Sequence, residues 1–422
     1  MCFLILKSNN SNNAMKKIIL LLAFISCTQV FSQNNQATLK VFINCNYCDI
    51  TYIKQNLDYV DFVRDQKDAD AHLFFRTQVN GGGGTIYEIE FIGQNNYNEI
   101  QDKITFSTNS DSTDSEIRDM ILKYAKLGLV RYWLKSGAHD KISVALEKKV
   151  KVDVKEEKDT WNNWVFNIGA RGFFYGQESN KNRSFNFNVS IKQVTNKNKF
   201  LIRGSLNNNK SVFSYDNEDI VSHQKSSRIH AYDVISINNH WSVGAFAYAG
   251  KSTYSNKAFY ATLKPAIEYN FFSYEESSKK QLTLAYKIGG LHNNYIEKTI
   301  FNKEDEFLWE HNLTLGGSLK QQWGNITSEI SYESFLNDAA LNAFSFYIGT
   351  SFRLVKGLSF DISGNYDITN NQVNLAGGDL SLEELLLRQQ QVKSGYNYFF
   401  RVGLNYSFGS MFNTIVNPRF NF

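Results

Sequence analysis

The sequence predicts an all-β transmembrane antiparallel barrel of about 12 strands, preceded by a small α/β periplasmic domain. Three observations predict it. A secretory signal near the N-terminus sends the chain out of the cytoplasm. About twelve successive segments between Trp164 and Phe408 alternate apolar and polar residues. The joints between these segments alternate between short turns and longer, more polar connections.

The signal begins at Met15, which the sequence marks as the true start. Lys16 and Lys17 precede an unbroken apolar run from Ile18 to Ile25. Val30 and Ser32 then sit at the −3 and −1 positions of a cleavage site before Gln33. A charged start, a short apolar centre and a small-residue exit describe a secretory signal peptide. The run is too short for a membrane helix, which needs ~20 residues. Residues 1–32 are therefore upstream sequence plus signal. Lipidation at Cys27 is the rival reading, but Phe24-Ile25-Ser26 before it match a lipoprotein signal poorly.

Beyond the signal, composition suits a barrel. Aromatic residues reach 15% and there are only two prolines. A net charge of +4 on 422 residues argues against a nucleic-acid partner and leaves outer-membrane lipid as the expected surroundings.

Only helices and closed barrels satisfy their own backbone hydrogen bonds in lipid. A barrel strand alternates lipid-facing apolar with lumen-facing polar residues over roughly 10 positions. Tyr398, Phe400, Val402, Leu404 and Tyr406 share one face, against Asn397, Phe399, Arg401, Gly403 and Asn405. Leu358, Phe360, Ile362, Tyr366 and Ile368 oppose Ser359, Asp361, Ser363, Asn365 and Asp367. Phe185, Phe187, Val189 and Ile191 alternate with Asn186, Asn188, Ser190 and Lys192. The same holds around Leu282 to Gly289 and Phe259 to Phe271. The weakest strand is Ile229 to Ile237, where Asp233 falls on the apolar phase. A secreted sandwich also alternates, but its strands are shorter and less aromatic.

Short joints fall at Thr195 to Asn198, Asn238 to Asn239, Glu275 to Lys279, Trp323 to Asn325 and Lys356 to Gly357. Longer polar joints fall at Asn208 to Gln224, His292 to Glu306 and Asn370 to Ser394. Barrels of this kind have short periplasmic turns and long external loops. An even strand count returns both barrel ends to the periplasm. The barrel then spans 163–409, with a C-terminal tail at 410–422 that either hooks in the periplasm or enters the lumen.

Residues 33–149 have a different texture, that of an α/β domain of ~100 residues, enough to fold alone. Strands are expected at Leu39 to Ile43, Tyr59 to Val63, His72 to Thr77 and Thr85 to Ile92. Gly81 to Gly84 form the turn of a hairpin. Asp114 to Lys135 has helical periodicity, with Ile117, Ile121, Tyr124, Leu127 and Leu129 to Val130 as its stripe. The charged stretch at 150–162 is a linker. Cys45 and Cys48 have three readings: a structural disulfide in an oxidising compartment, a redox dithiol, or metal ligands. Metal would need more ligands than the nearby His72 and His139 supply. Cys2 and Cys27 leave with the signal. The four glycines lack the Lys-Ser/Thr ending of a phosphate loop.

Searching the barrel for chemistry yields little. His223, His230, His240, His292 and His311 sit in no recognisable Ser or Asp motif, so no enzyme, cofactor or metal is expected. The predicted lumen carries Arg171, Lys192, Arg203, Lys264, Lys287, Arg353 and Arg401, interleaved with Glu268, Glu329, Glu333, Asp361 and Asp367. Such charges either set solute selectivity or pair and fill the interior. A short helix over Asp379 to Gln391 either plugs the mouth or meets a partner.

Several strings resemble a Bacteroidota-type family of outer-membrane β-barrel proteins with an N-terminal periplasmic α/β domain. They are the Cys45 to Cys48 pair, Val63-Arg64-Asp65 with Asp68-Ala69-Asp70, Gly81 to Gly84, and Leu127-Gly128-Leu129-Val130-Arg131-Tyr132. Tyr406-Ser407-Phe408-Gly409-Ser410-Met411-Phe412-Asn413 and Val416-Asn417-Pro418-Arg419-Phe420 complete the likeness. It implies the location and the two-part layout and brings no activity. The expected function is a pore for small solutes with a periplasmic docking or gating domain. The alternative is a closed barrel that anchors a periplasmic protein partner.

Overall fold

The computed structural model describes residues 38–143, 159–215, 218–378, 390–412, 414–417 and 419. The signal, the end of the expected domain from 144 to 149, the 150–158 part of the linker and most of the expected helix at Asp379 to Gln391 lie outside the described residues.

The chain folds as a twelve-stranded antiparallel barrel sheet preceded by a small mixed α/β domain. In the domain, β1 (Leu39–Asn44), β2 (Val60–Phe62), β3 (Ala71–Val79), β4 (Thr85–Gly93) and β5 (Gln101–Ser107) form a sheet of order β2-β1-β3-β4-β5. β1 pairs in parallel with β2 and β3, and a parallel pair needs a crossover. Helix α1 (Ile50–Asn56) supplies the first one, capped by Asp49, whose carboxylate accepts from the Tyr52 amide at 2.9 Å. β3 to β5 then run antiparallel.

Helix α2 (Asp114–Lys135) starts at a reciprocal cap. The Glu116 amide donates to the Thr113 hydroxyl, and the Thr113 amide donates to the Glu116 carboxylate at 2.8 Å. Ile121, Ala125, Gly128, Leu129 and Tyr132 are its buried face. They pack on Tyr87, Ile89 and Phe91 of β4. The expected stripe is corrected at Leu127, which is exposed. Gly128 takes the inner place because the Phe91 ring lies there: a Cβ on Gly128 would sit 2.0 Å from it. β5 escaped the sequence reading, because QDKITFS is an exposed edge strand with few apolar residues.

β3 is buried on both faces. Ala71, Leu73 and Phe75 join the helix-side core, while His72, Phe74 and Arg76 on the other face are also buried. Something must cover that second face, and the barrel does.

The barrel strands are β6 (Trp164–Gln177), β7 (Asn180–Val194), β8 (Asn198–Tyr215), β9 (Glu218–Ser236), β10 (Trp241–Ser252), β11 (Lys257–Asn270), β12 (Lys280–Tyr295), β13 (Asp305–Gln321), β14 (Gly324–Phe335), β15 (Asp338–Val355), β16 (Leu358–Thr369) and β17 (Tyr396–Tyr406). Each pairs antiparallel with its sequence neighbour. Their apolar phase is solvent-facing: Ile168 is 73% exposed and Leu404 70%. A continuous exposed apolar band of this size calls for lipid against it. The polar phase is concave, because its side chains reach over an intervening strand. Arg228 of β9 donates to Tyr260 of β11 at 3.3 Å, and Lys264 of β11 meets Glu310 of β13 at 2.7 Å. No ladder joins β6 to β17 among the described residues, and both strands are exposed along almost their whole length.

Asp233 does face outward. It lies near the turn to β8 and accepts from the Asn198 amide at 2.6 Å, outside the apolar belt. The expected loop at Asn208 to Gln224 is corrected: β8 and β9 run through it as a long hairpin. Beyond the lipid belt neither face need be apolar, so the alternation fades while the pairing continues. The joints at 178–179, 253–256 and 336–337, at the end away from the N-terminal domain, are as short as most of those beside it. The long joints at that end are 296–304 and 370–395.

Replacing Gly128 by Val should destabilise the N-terminal domain by about 1–3 kcal/mol through overpacking. Thermal unfolding followed by near-UV circular dichroism checks this. The heat-modifiable gel shift of the barrel should stay as it is.

Candidate functional site

The registers place all twelve charges expected in the lumen on the inner face: Arg171, Lys192, Arg203, Lys264, Glu268, Lys287, Glu329, Glu333, Arg353, Asp361, Asp367 and Arg401. They are not interleaved around the wall as expected but sorted. On β6 to β10 the inner face carries Arg171, Lys192, Lys199, Arg203 and Arg228, and no Asp or Glu from Ile220 inward on β9 or anywhere on the other four strands. Across β13 to β16 it carries Glu306, Glu310, Glu329, Glu333, Asp361 and Asp367, with Lys320 and Arg353 only near the turns that face the N-terminal domain. The registers also bring in Glu306 and Glu310, which sequence reasoning missed. Counting back in steps of two from Thr314 would have found both.

Several inner charges have partners. Glu310 accepts from Lys264 and from the Thr262 hydroxyl at 3.2 Å. Asp367 accepts from Ser345 at 2.6 Å and Asn365 at 2.7 Å. Lys287 lies 4.3 Å from the Phe246 ring centre, and Arg401 5.8 Å from that of Phe399. His230 stacks on Tyr248 with ring centres 4.3 Å apart.

The mouth away from the N-terminal domain is crossed by the segment after β16. The Asn371 amide donates to Glu333 at 3.0 Å, and the Asn374 amide donates to the Ser255 carbonyl at 3.0 Å. Thr299 and Ala376 form an antiparallel bridge. Val373 packs into a buried cluster with Leu291, Leu308 and Phe335, all inward-facing. The segment therefore reaches from β16 to the β10–β11 and β12–β13 joints, with apolar side chains turned into the mouth.

The N-terminal domain covers the opposite mouth of the barrel. Its contacts run through most of the turns at that mouth. Gln78 donates to Ser277 at 3.3 Å, and Lys279 meets Glu90 at 2.6 Å. Arg353 donates to Gln66 at 2.9 Å and lies 4.8 Å over the Phe42 ring. Lys356 meets Asp68 at 2.5 Å, and the Gly357 amide donates to Asp65 at 2.8 Å. A Cβ on Gly81 would lie 2.9 Å from Val194 of the β7–β8 turn. The tail completes the seal as a hook. The Arg64 amide donates to the Met411 carbonyl at 2.9 Å, Val63 bridges Phe412, and the Phe62 amide donates to Thr414. This extends the exposed β2 edge of the domain sheet with the chain's own C-terminus.

Cys45 and Cys48 form a disulfide packed against the domain core. It borders a 240 Å³ cleft between Phe74, Arg76 and the β13–β14 turn. Among the described residues no group of three or more His, Cys, Asp or Glu gathers as a metal site, and no helix is long and apolar enough to cross a membrane.

Electrostatics at the covered face follow from burial. Burial alone would raise the Glu90 carboxyl. Hydrogen bonds from Arg76 (2.8 Å) and Lys279 outweigh it and hold the group at about 2. Burial, with the Arg353 charge adding to it, pushes the His72 imidazole down to about 3. Neither of its ring nitrogens has a hydrogen-bond partner.

No family model matches the chain, and no curated protein matches it. Solved structures do. The NanC porin shares 9% identity and a TM-score of 0.28, covering 57% of this chain and 98% of that one. The translocator domain of the autotransporter NalP from Neisseria meningitidis shares 13% and 0.28, covering 58% and 88%. CdiB from Acinetobacter baumannii shares 8% and 0.28, covering 79% and 71%. These scores are low, and the reading of this chain stands on its own registers and contacts.

The pH dependence has one sign. Glu90 is depressed in the docked form, so its contribution is complete above the usual carboxylate range and lost as pH falls towards about 2. His72 is also depressed. Released from burial it takes up a proton below 6.5 that the docked form refuses until about 3, so stability falls across that window. The melting temperature of the N-terminal domain should therefore fall steadily from pH 7 to pH 4. The variant His72→Phe should flatten that slope between pH 6.5 and 5, and an unchanged slope would contradict the assignment.

Proposed function

We propose that the chain is an integral outer-membrane barrel that passes small solutes and is held shut by its own periplasmic N-terminal domain. One observation carries the reading: the second face of the domain sheet, with His72, Phe74 and Arg76, is buried against the barrel's periplasmic end. A domain merely tethered beside a barrel would leave that face in water. The contacts across the boundary are mostly polar and charged, so the seal can be released without exposing a large apolar core. The exposed apolar belt supports membrane insertion, and the inner face, mostly polar and charged though it also carries Leu201, Phe246 and Phe399, supports a lumen that admits water.

A second reading has its own observation. Val373 and its neighbours pack an apolar cluster into the external mouth. With both mouths filled, the barrel would serve as an anchor, and its domain would dock a periplasmic protein.

The ion pair between Glu90 and Lys279 tests the first reading. Both side chains are partly exposed, so the pair is worth less than a fully buried one. Glu90→Lys and Lys279→Glu should each raise the open probability of single channels in planar bilayers by about ten-fold, the effect of ~1.4 kcal/mol. The double variant should return it towards the starting value. Silent bilayers for all four proteins would favour the anchor.

A further inference from the structure

The sorted inner wall poses a chemical question that gating does not answer. Arg203 and His230 are direct cross-strand neighbours on β8 and β9. Arg228 lies on the same inner face of β9, its guanidinium held by the Tyr260 hydroxyl. Lys287 reaches this place from β12, where the basic wall meets Glu268 and Glu329 of the acidic side. Among the described residues none of the three cations has an ion pair within 4.0 Å. The His230 Nε2 atom is buried and has no hydrogen-bond partner.

Beside this cluster opens a cavity of about 550 Å³, lined by Ser205, Asn207, Asn209, Arg228, Lys257 and Tyr260. Its wall is hydroxyl and amide, with cations and no carboxylate. The Asn209 carbonyl oxygen there is buried and accepts no hydrogen bond. A low-dielectric wall with several like charges and no carboxylate of its own focuses a field that attracts the opposite charge. Neutral donors and acceptors beside it suit hydroxyl groups.

Resting on the pore reading above, we propose that this wall is a binding site for a small hydroxyl-rich oxyanion. Its carboxylate or phosphate meets Arg203, Arg228 and Lys287, and its hydroxyls meet the Ser and Asn side chains of the cavity. Planar guanidinium forks pair well with either oxyanion. The opposite wall of carboxylates repels such a solute and holds it to the β8–β11 side.

The test is calorimetric titration of the full-length protein in detergent, with gluconate, glucose 6-phosphate and glucose as probes. Gluconate or glucose 6-phosphate, or both, should bind at least ten-fold more tightly than neutral glucose, and their order separates a carboxylate from a phosphate preference. Arg203→Gln combined with Arg228→Gln should weaken that binding at least ten-fold. Lys287→Gln, a milder change, should weaken it several-fold if the double variant fails to fold. Arg401→Gln, on another part of the wall, should leave it unchanged. Equal binding of glucose and the anions, or binding indifferent to these substitutions, would overturn the proposal. Bilayer recordings separate it from the reading it rests on. Anion binding with silent bilayers defeats the pore and keeps the site. Steady channels with no anion binding defeat the site and keep the pore.

Discussion

Every feature of this molecule follows from one constraint: inside lipid, a backbone amide or carbonyl finds no water and must pair within the chain. Twelve strands paired edge to edge meet that demand. Pairing fixes the register, and register fixes which side chain faces lipid. The face left over is polar, and because the sheet curves around it, its side chains meet across intervening strands. Lys264 and Glu310 are such a pair. The same constraint makes the two mouths special. Only there can irregular backbone come near the lumen, and both mouths are covered. The two sheet edges, β6 and β17, are where pairing is incomplete, and the constraint requires that they meet in a membrane.

The coverings differ in chemistry. The external segment is apolar where it enters, with Val373 against Leu291, Leu308 and Phe335. The cover formed by the N-terminal domain is charged: Glu90 to Lys279, Asp68 to Lys356, and Arg353 over Phe42. Charged contacts respond to pH and salt, and apolar ones do so far less. The contacts of the N-terminal domain are thus the ones that pH and salt can weaken. The buried His72, with no partner for either nitrogen, makes that response larger at mildly acidic pH than Glu90 alone would.

Much of the fold was legible in the sequence because it is periodic. Alternation found the strand faces from Phe185 to Tyr406, and with them the inner charges. The helix at Asp114 to Lys135 showed in its spacing. What stayed hidden was whatever periodicity does not encode. β5 is a mostly polar edge strand held by β4, with Phe106 as its one buried side chain. The polar run Asn208 to Gln224 looks like a loop because no lipid demands alternation there. Leu127 and Gly128 exchange places because a ring of Phe91 occupies the space. The sorting of charge between two walls needs the strand order as well as the phase. The docking contacts, such as Asp65 to the Gly357 amide, join residues almost three hundred positions apart, and no local pattern could announce them.

The most direct test of the central claim locks the domain in place. Gln78 and Ser277 are hydrogen-bonded across the boundary at 3.3 Å. The full-length variant carrying Gln78→Cys and Ser277→Cys is recorded in planar bilayers before and after reduction, with the unaltered protein under the same reductant as control for the native Cys45–Cys48 bond. If the domain is the seal, the cross-link forms spontaneously, the oxidised protein is silent, and reduction restores channel activity to the level of the control. A cross-linked protein that conducts as freely as the reduced one would contradict it.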